Sequence, residues 1–202
     1  MIYINHFLDT NVIIGFIYTF NSLYEYSKEI FSKNDEYYYS KNVEIEVEEV
    51  FDRKNEEFKI FFRKILNSLK KFKNDLFISN SQIHIIINRF NKIGKLNLEN
   101  MHNTFERLWK HFDFGENQEI DIIINNLEII LDEFFTKHSK TKKYIFNIMK
   151  EIPTHKTKDE EILQMIKEKQ LRKLIHDEDE DILFDLNEYA KHHPELDLCF
   201  VS

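Results

Sequence analysis

Length, composition and charge narrow the class of protein. The chain has 202 residues, of which 42% are hydrophobic and 32% charged, as in a globular protein with a sizeable core. Because it has only 3 glycines and 2 prolines, tight turns are few, which favours long helices and argues against a β-sandwich. The formal net charge of -8 argues against a protein that relies on a general positive field to hold nucleic acid, but it does not exclude nucleic acid, because a local basic face can suffice.

Cysteine usage and hydropathy indicate the compartment. Cys199 is the only cysteine of the sequence, so an internal disulfide cannot form and a reducing cytoplasm is expected. Because Cys199 lies in an apolar run, we expect it in the core. The N-terminus has no basic region followed by an apolar signal core, and no apolar run approaches the roughly 20 residues of a membrane helix. The sequence therefore predicts a soluble, cytoplasmic protein with no membrane partner.

Apolar periodicity predicts the elements of the first third of the chain. A run rich in β-branched and aromatic residues leads directly to Asp9 and predicts a buried strand that delivers this carboxylate to a sheet edge. Ser40 or Asn42 can cap a long helical tract further on. The predicted elements are, in order, a strand at 2–8, a helix at 12–20, a helix ending near 33–35, an aromatic strand at 37–40, and one or two helices at 42–73.

The remainder is predicted to be mostly helical. Candidate helices cover 81–93, 99–112, 118–137, 141–151 and 159–174. The acid run 177–181 opens a further helix that extends to about His192. Its predicted buried stripe consists of Ile182, Leu183, Leu186 and Tyr189. A final apolar strand covers 196–202.

Strands separated by helices favour a parallel sheet with helices on both faces. We therefore predict an α/β fold with three α/β/α layers around a small central parallel sheet. The protein is expected to be a helix-rich single domain over 1–202, with a long helical insertion at about 76–150. With right-handed crossovers, the carboxyl ends of the strands lie along one edge, where ligands bind.

Three acidic positions fall near this predicted edge. Asp9 ends the first strand, Glu46 lies in the first turns after the second strand, and the run 177–181 begins the last helix. Carboxylates in close contact raise each other's pKa, and a divalent cation relieves their repulsion. Magnesium and manganese both prefer such oxygen ligands. A cation at this edge could activate water for an in-line displacement at a phosphodiester.

The first two acids stand in motifs that resemble the PIN domain family. The family's opening strand typically ends in Asp-Thr-Asn or Asp-Ser-Ser, and here Asp9-Thr10-Asn11 follows Phe7-Leu8. The second acid of the family follows a strand in the pattern Ser, two residues, an apolar residue, two residues, Glu. The residues that match this pattern are Ser40, Val43 and Glu46.

The third family acid precedes an apolar pair at the start of a late helix, as Asp179 precedes Ile182-Leu183. Asp177 and Asp181 remain alternatives within one helical turn. Asp159 also lies three residues before an Ile-Leu pair. Asp179 is preferred because a short helix and then the terminal strand follow it directly.

The resemblance covers about 1–50 and 175–202. The family's last core strand ends in an apolar residue, Val, and Thr or Ser, which Phe200-Val201-Ser202 matches. A fourth acid would come two residues after Ser202, which leaves open whether that ligand lies further along the chain or is missing. The middle, about 100 residues, is longer than the family's usual helical arm.

The resemblance implies a metal-dependent endoribonuclease. Its metal ligands would be Asp9, Glu46 and Asp179, holding Mg2+ or Mn2+. Thr10, Asn11 and Ser202 would support the site. Many PIN domains are toxins neutralised by an antitoxin, so the implied partners are an RNA substrate and an antitoxin or other protein. Apolar stripes on several helices of the middle also favour a homodimer contact or a role in substrate choice.

Simpler roles stand beside these assignments. Asp9 could merely cap the helix that follows it, and Asn11 and Thr10 are ordinary residues at such a turn. The run 177–181 could be a solvated helix N-terminus stabilised by the helix dipole. An alternative function follows, in which the chain is a weak or inactive PIN-like module that binds RNA or a protein partner through its helical insertion.

Basic residues give a candidate RNA contact. The stretch from Lys137 to Lys150 contains no acid, so Lys140, Lys142 and Lys143 are the preferred phosphate contacts, although such clusters are more often solvated helix faces.

Overall fold

The computed structural model describes residues 5–19, 21–33, 35–72, 77–79, 81–82, 85, 117–154, 160–171 and 180–202. These residues form a mixed α/β, helix-rich protein with a small parallel sheet of 4 strands. None of the helices in the described ranges is long and apolar enough to cross a membrane.

Short strands alternate with longer helices along the described parts of the chain. The first half contains β1 (Asn5–Leu8), α1 (Thr10–Ile17), α2 (Tyr24–Phe31), β2 (Glu36–Ser40), α3 (Lys41–Lys70) and β3 (Phe77–Ser79). The second half contains β4 (Asn117–Glu119), α4 (Ile120–Ile148), β5 (Lys150–Ile152), α5 (Glu160–Leu171), α6 (Glu180–His192), a short 3-10 helix (Pro194–Leu196) and β6 (Leu198–Val201).

The parallel sheet has the strand order β5-β2-β1-β6. Phe7 in β1 lies beside Tyr38 in β2 and beside Phe200 in β6. The backbone N–H of Asp9 donates to the carbonyl of Val201 at 2.9 Å, which extends the β1–β6 ladder by one residue. Because all pairings are parallel, the carboxyl ends of the strands share one edge, and Asp9 lies at that edge beside a central strand.

The chain divides into two compact units, each with its own core. Unit 1 comprises Met1–Thr19, Leu23–Val50 and Thr141–Ser202 and contains the parallel sheet. Unit 2 comprises Phe20–Ser22 and Phe51–Lys140 and contains the antiparallel pair β3–β4. In unit 2 the ring of Phe134 on α4 contacts Phe58 and Phe62 on α3, with centroid distances of 5.3 and 6.2 Å.

Several sequence predictions are confirmed. Both amino-terminal strands, the helix within 159–174, the acid-led last helix and the terminal strand are present. Of the one or two helices predicted at 42–73, the structure has one, α3, which ends at Lys70. The first helix starts at Thr10 rather than at Val12 and ends at Ile17 rather than at residue 20. The helices predicted at 81–93 and 99–112 lie almost wholly outside the described residues.

Two predictions are wrong. The helices expected at 118–137 and 141–151 are one helix, α4, and the end of the second is the strand β5. A strand forms there because Lys150 to Ile152 pairs with β2, a partner more than 100 positions away that local periodicity does not show. Cys199, expected in the core, is exposed, since β6 is an edge strand of the sheet.

Close packing of α1 on α2 holds the helix that follows Asp9. A Cβ on Gly15 would lie 2.5 Å from Ser27 Oγ and 3.0 Å from the Leu23 Cβ. Ser27 is fully buried, and its Oγ has no hydrogen-bond partner among the described residues. Glycine is therefore required by space rather than by backbone conformation.

Gly15→Ala is expected to lower the free energy of unfolding by about 1 kcal/mol. Overpacking typically costs about 1–3 kcal/mol, which exceeds the roughly 1 kcal/mol helix-propensity gain of alanine over glycine. Adding Ser27→Ala removes the clashing oxygen and should recover most of the lost free energy of unfolding. Urea unfolding of the single and double variants measures both effects. A double variant as unstable as Gly15→Ala would assign the clash to Leu23 instead.

The core of unit 2 contains a buried histidine that makes stability depend on pH. His138 is 2% exposed, and its ring lies 4.0 Å from that of Phe134. Burial, with a smaller contribution from Lys137, lowers the pKa of His138 to about 4. Because the pKa is lower in the folded than in the unfolded state, folding favours the neutral ring. The free energy of unfolding is therefore not reduced by His138 above a pH of about 6.5, and it decreases as the pH falls from there towards 4.

His138→Leu should remove this pH dependence. Between pH 7 and pH 5 the wild type should lose about 2 kcal/mol of unfolding free energy more than the variant, by proton linkage. Urea unfolding at both pH values measures the difference. His192→Gln, at an exposed histidine, is the control and should follow the wild type. Parallel losses in wild type and His138→Leu would contradict the assignment.

Candidate functional site

Asp9 is held at the sheet edge by the start of α1. Its backbone is extended, with φ -78 and ψ 159, which makes it the N-cap of that helix. Its Oδ1 accepts from the backbone N–H of Thr10 at 2.7 Å, and its Oδ2 accepts from the side-chain Nδ2 of Asn11 at 3.2 Å. Asp9 is only 5% exposed. The capping role expected as the simpler alternative is therefore real, and it also fixes where the carboxylate lies.

Thr10 connects Asp9 to the second predicted acid. While its backbone N–H bonds to Asp9, its Oγ1 donates to Glu46 Oε2 at 2.7 Å. Thr10 is 3% exposed; its bond to Asp9 is buried and its bond to Glu46 is partly buried, which shields both from competing water to different degrees. A single residue thus touches both carboxylates, 36 positions apart in the chain.

Ser40 begins the helix that presents Glu46. It ends β2 at the same edge, and its Oγ accepts from the backbone N–H of Val43 at 3.4 Å, as an N-cap residue does. Asn42 and Glu46 are four residues apart on α3 and so occupy the same face of this helix. That face is turned to the residues at the sheet edge, since Glu46 bonds to Thr10 there.

Asn42 bonds to an acid that the sequence reasoning missed. Its Nδ2 donates to Asp185 Oδ2 at 2.8 Å. Asp185 lies on α6 and is 2% exposed. A signal for it was present in the sequence, because Asp185 falls within the apolar stripe of α6, between Ile182 and Leu186. An acid inside a buried stripe needs a specific partner, and Asn42 provides one.

Of the remaining predicted acids and supporting residues, the structure describes Asp181 and Ser202. Asp177 and Asp179 lie outside the described residues. Asp181 is in the first turn of α6, is exposed, and lies one turn before Asp185. Ser202 is exposed and follows Val201, whose carbonyl accepts from the Asp9 N–H, so it lies at the same sheet edge. Among the described side chains of His, Cys, Asp and Glu, no group of three or more is arranged to hold a metal ion.

The three lysines predicted to contact RNA differ in exposure and in whether an acid already pairs with their ammonium groups. Lys142 is half-buried, and its ammonium group makes an ion pair with Glu48 on α3. Lys143 is exposed in unit 1, and Lys140 is exposed in unit 2. Because Lys142 is already engaged by an acid, Lys140 and Lys143 are the better phosphate contacts of the three.

Comparisons with protein families, with curated proteins and with solved structures found no match to this chain.

Thr10→Val should lower the free energy of unfolding by about 1 kcal/mol, because it removes one side-chain hydrogen bond and preserves shape. Thr10→Ser keeps the hydroxyl and should retain most of the stability. Urea unfolding without added metal measures both variants. A valine variant as stable as the wild type would show that the Thr10–Glu46 hydrogen bond contributes nothing to folding.

Proposed function

We propose that this chain is a PIN-like, metal-dependent endoribonuclease that hydrolyses RNA phosphodiester bonds at the carboxyl edge of its parallel sheet. The observation that carries the proposal is the double contact of Thr10, which bonds to Asp9 and to Glu46. The two acids that the family resemblance assigns as metal ligands therefore lie beside one residue. If the two motifs occurred in the chain by chance, there would be no reason for Thr10 to contact both acids.

The side-chain contacts of β2 support a three-layer arrangement as part of this proposal. The Tyr37 ring contacts Phe31 of α2 with centroids 5.2 Å apart, and the Tyr38 ring contacts Tyr189 of α6 at 6.2 Å. Successive strand residues point to opposite sheet faces. Helices on the two faces of β2 are what the proposed α/β/α layering requires.

The residues present fit a hard divalent cation. Asp9 and Glu46 offer carboxylate oxygens, which Mg2+ and Mn2+ prefer, and Mg2+ characteristically binds through one or two carboxylates and several waters. An acid of the run 177–181 would be the third ligand. When bound, such a cation would supply Lewis-acid activation of water and stabilise charge on a phosphodiester.

The side chains around the acids have defined roles in this proposal. The Thr10 N–H and the Asn11 amide orient the Asp9 carboxylate, and the Thr10 hydroxyl orients Glu46. The low exposure of Asp9 limits competing water around its oxygens. Lys140 and Lys143 would bind the RNA backbone, a sequence-independent contact that positions the strand.

Further partners belong to the same proposal. Ile122 and Ile129 lie two turns apart on α4 and are 48% and 57% exposed, so this helix presents two apolar side chains to solvent in unit 2, with Asn125 and Asn126 between them. An antitoxin or a second copy of the chain would be the occupant of such a face. A reducing cytoplasm suits the single exposed thiol.

One observation favours a second candidate function, a weak or inactive PIN-like module that binds RNA or a protein. Both carboxylate oxygens of Asp9 already accept hydrogen bonds, one from the Thr10 backbone N–H and one from the Asn11 side chain, so the carboxylate has a structural role without a metal. In this reading RNA would bind without being cut.

The nuclease proposal is tested with a labelled single-stranded RNA in buffer containing Mn2+. The wild type should cleave it, and Asp9→Asn should reduce the rate by about 100-fold or more, since the loss of one well-placed charged or polar group typically costs that much. Glu46→Gln should behave similarly. Glu49→Gln is the matched control, because Glu49 lies on the same helix and is exposed, and its activity should equal that of the wild type.

Equal cleavage by the wild type and Asp9→Asn would reveal a contaminating nuclease and reject the proposal. A different outcome would support the second function: RNA binds with a salt-dependent affinity but stays intact in Mg2+ and in Mn2+. In that case Lys140→Ala and Lys143→Ala should weaken binding while Asp9→Asn should not.

A further inference from the structure

Asp185 is an acid in a position that favours an apolar residue. It lies on α6 among buried neighbours, with Ile182 3% and Leu186 8% exposed, and is itself 2% exposed. Burying a carboxylate costs free energy unless hydrogen bonds compensate for the lost water. A leucine there would pack without this cost, so the carboxylate must contribute something that packing does not.

The hydrogen bond from Asn42 to Asp185 joins α6 to the first turn of α3. The two residues are 143 positions apart and their side chains meet at 2.8 Å. A hydrogen bond that an amide donates to a buried carboxylate is short and directional, so it restrains α3. The ion pair between Lys142 and Glu48 also touches this part of α3. Since its partners are partly exposed and Lys142 is long and flexible, it restrains the helix less.

Restraint at Asn42 determines where Glu46 projects. The two residues lie one turn apart on one face of α3. Side chains lie roughly 5–6 Å from a helix axis, so turning α3 by about 20° would move the Glu46 carboxylate about 2 Å. That displacement would break its 2.7 Å hydrogen bond with Thr10. The position of Glu46 beside Asp9 thus depends on the contact that α3 makes with α6.

We propose that the Asn42–Asp185 hydrogen bond sets the rotation of α3 and so holds Glu46 beside Asp9, which makes Asp185 a positioning residue for the site. As a role in metal binding, this rests on the proposed function. Asp185 acts through Asn42 and does not itself bind the cation. All four residues belong to unit 1.

Exchanging the two side chains tests the proposal. Asn42→Asp alone sets two carboxylates against each other and should weaken Mn2+ binding about 10-fold, in the range found for residues that orient metal ligands. Asp185→Asn alone keeps an acceptor for Asn42, and the affinity should stay within about threefold of the wild type. The exchanged pair, Asn42→Asp with Asp185→Asn, restores a carboxylate–amide bond in the reverse direction and should regain the lost affinity. Titration calorimetry with Mn2+ measures all four proteins.

The signs of these effects exclude other roles. An additional acid near a cation would ordinarily tighten binding, so unchanged or tighter binding by Asn42→Asp overturns the proposal. If Asp185→Asn alone abolishes binding, Asp185 is a ligand and the positioning role is wrong. If the exchanged pair stays as weak as Asn42→Asp, the added charge rather than the lost hydrogen bond is responsible, which also overturns it. Asn67→Asp, an exposed site on α3, is the matched control and should bind as the wild type does.

A metal-free measurement separates this proposal from the proposed function. Thr10 bonds to Glu46 and Asn42 bonds to Asp185, so coupling between Thr10 and Asn42 is transmitted through α3. Thr10→Val and Asn42→Asp, made singly and together, should be non-additive by about threefold or more in the unfolding equilibrium constant. Additive effects would reject the positioning role. Non-additive effects with no Mn2+ uptake by the wild type would retain the positioning role and reject the metal site.

Discussion

The hydrogen bond between the Thr10 hydroxyl and Glu46 is the interaction on which the candidate site depends. It connects the end of a central strand to the second turn of α3 and brings together two acids from distant parts of the chain. Backbone structure determines where each of the two acids lies. Asp9 is placed by the β1–β6 ladder and the start of α1, and Glu46 by the helix that begins immediately after β2. The Thr10 hydroxyl thus holds the Glu46 side chain near the end of β1, where Asp9 lies.

The placement of Asp9 shows how one side chain serves folding and the candidate chemistry together. As an N-cap it satisfies the backbone N–H of Thr10, which α1 leaves unpaired. This hydrogen bond and the one from the Asn11 side chain fix the orientation of the carboxylate at a position that is only 5% exposed. Carboxylate oxygens are the ligands that hard divalent cations prefer, which is the chemical basis for proposing one.

Sequence reasoning and structure agree where the signal is local. The strand before Asp9, the capping role of Ser40 and the acid-led start of α6 follow from short-range patterns. They disagree at β5 and at Cys199, where the outcome depends on which strands lie at the sheet edges. Asp185 was missed because its partner is 143 positions away, and helical periodicity marks its position as buried without naming what it contacts.

Apart from β3, β4 and β5, which no local pattern predicted, the sequence by itself determined the kinds and the order of the described elements and the acids that lie at strand ends and helix starts. These follow from periodicity and capping, which act over a few residues. Only the tertiary structure decided that Thr10 touches both Asp9 and Glu46, and that Asn42 reaches a buried acid on α6. Such contacts depend on strand order and on the rotation of each helix about its axis. Those quantities are set by packing between distant segments, and no local pattern of residues encodes them.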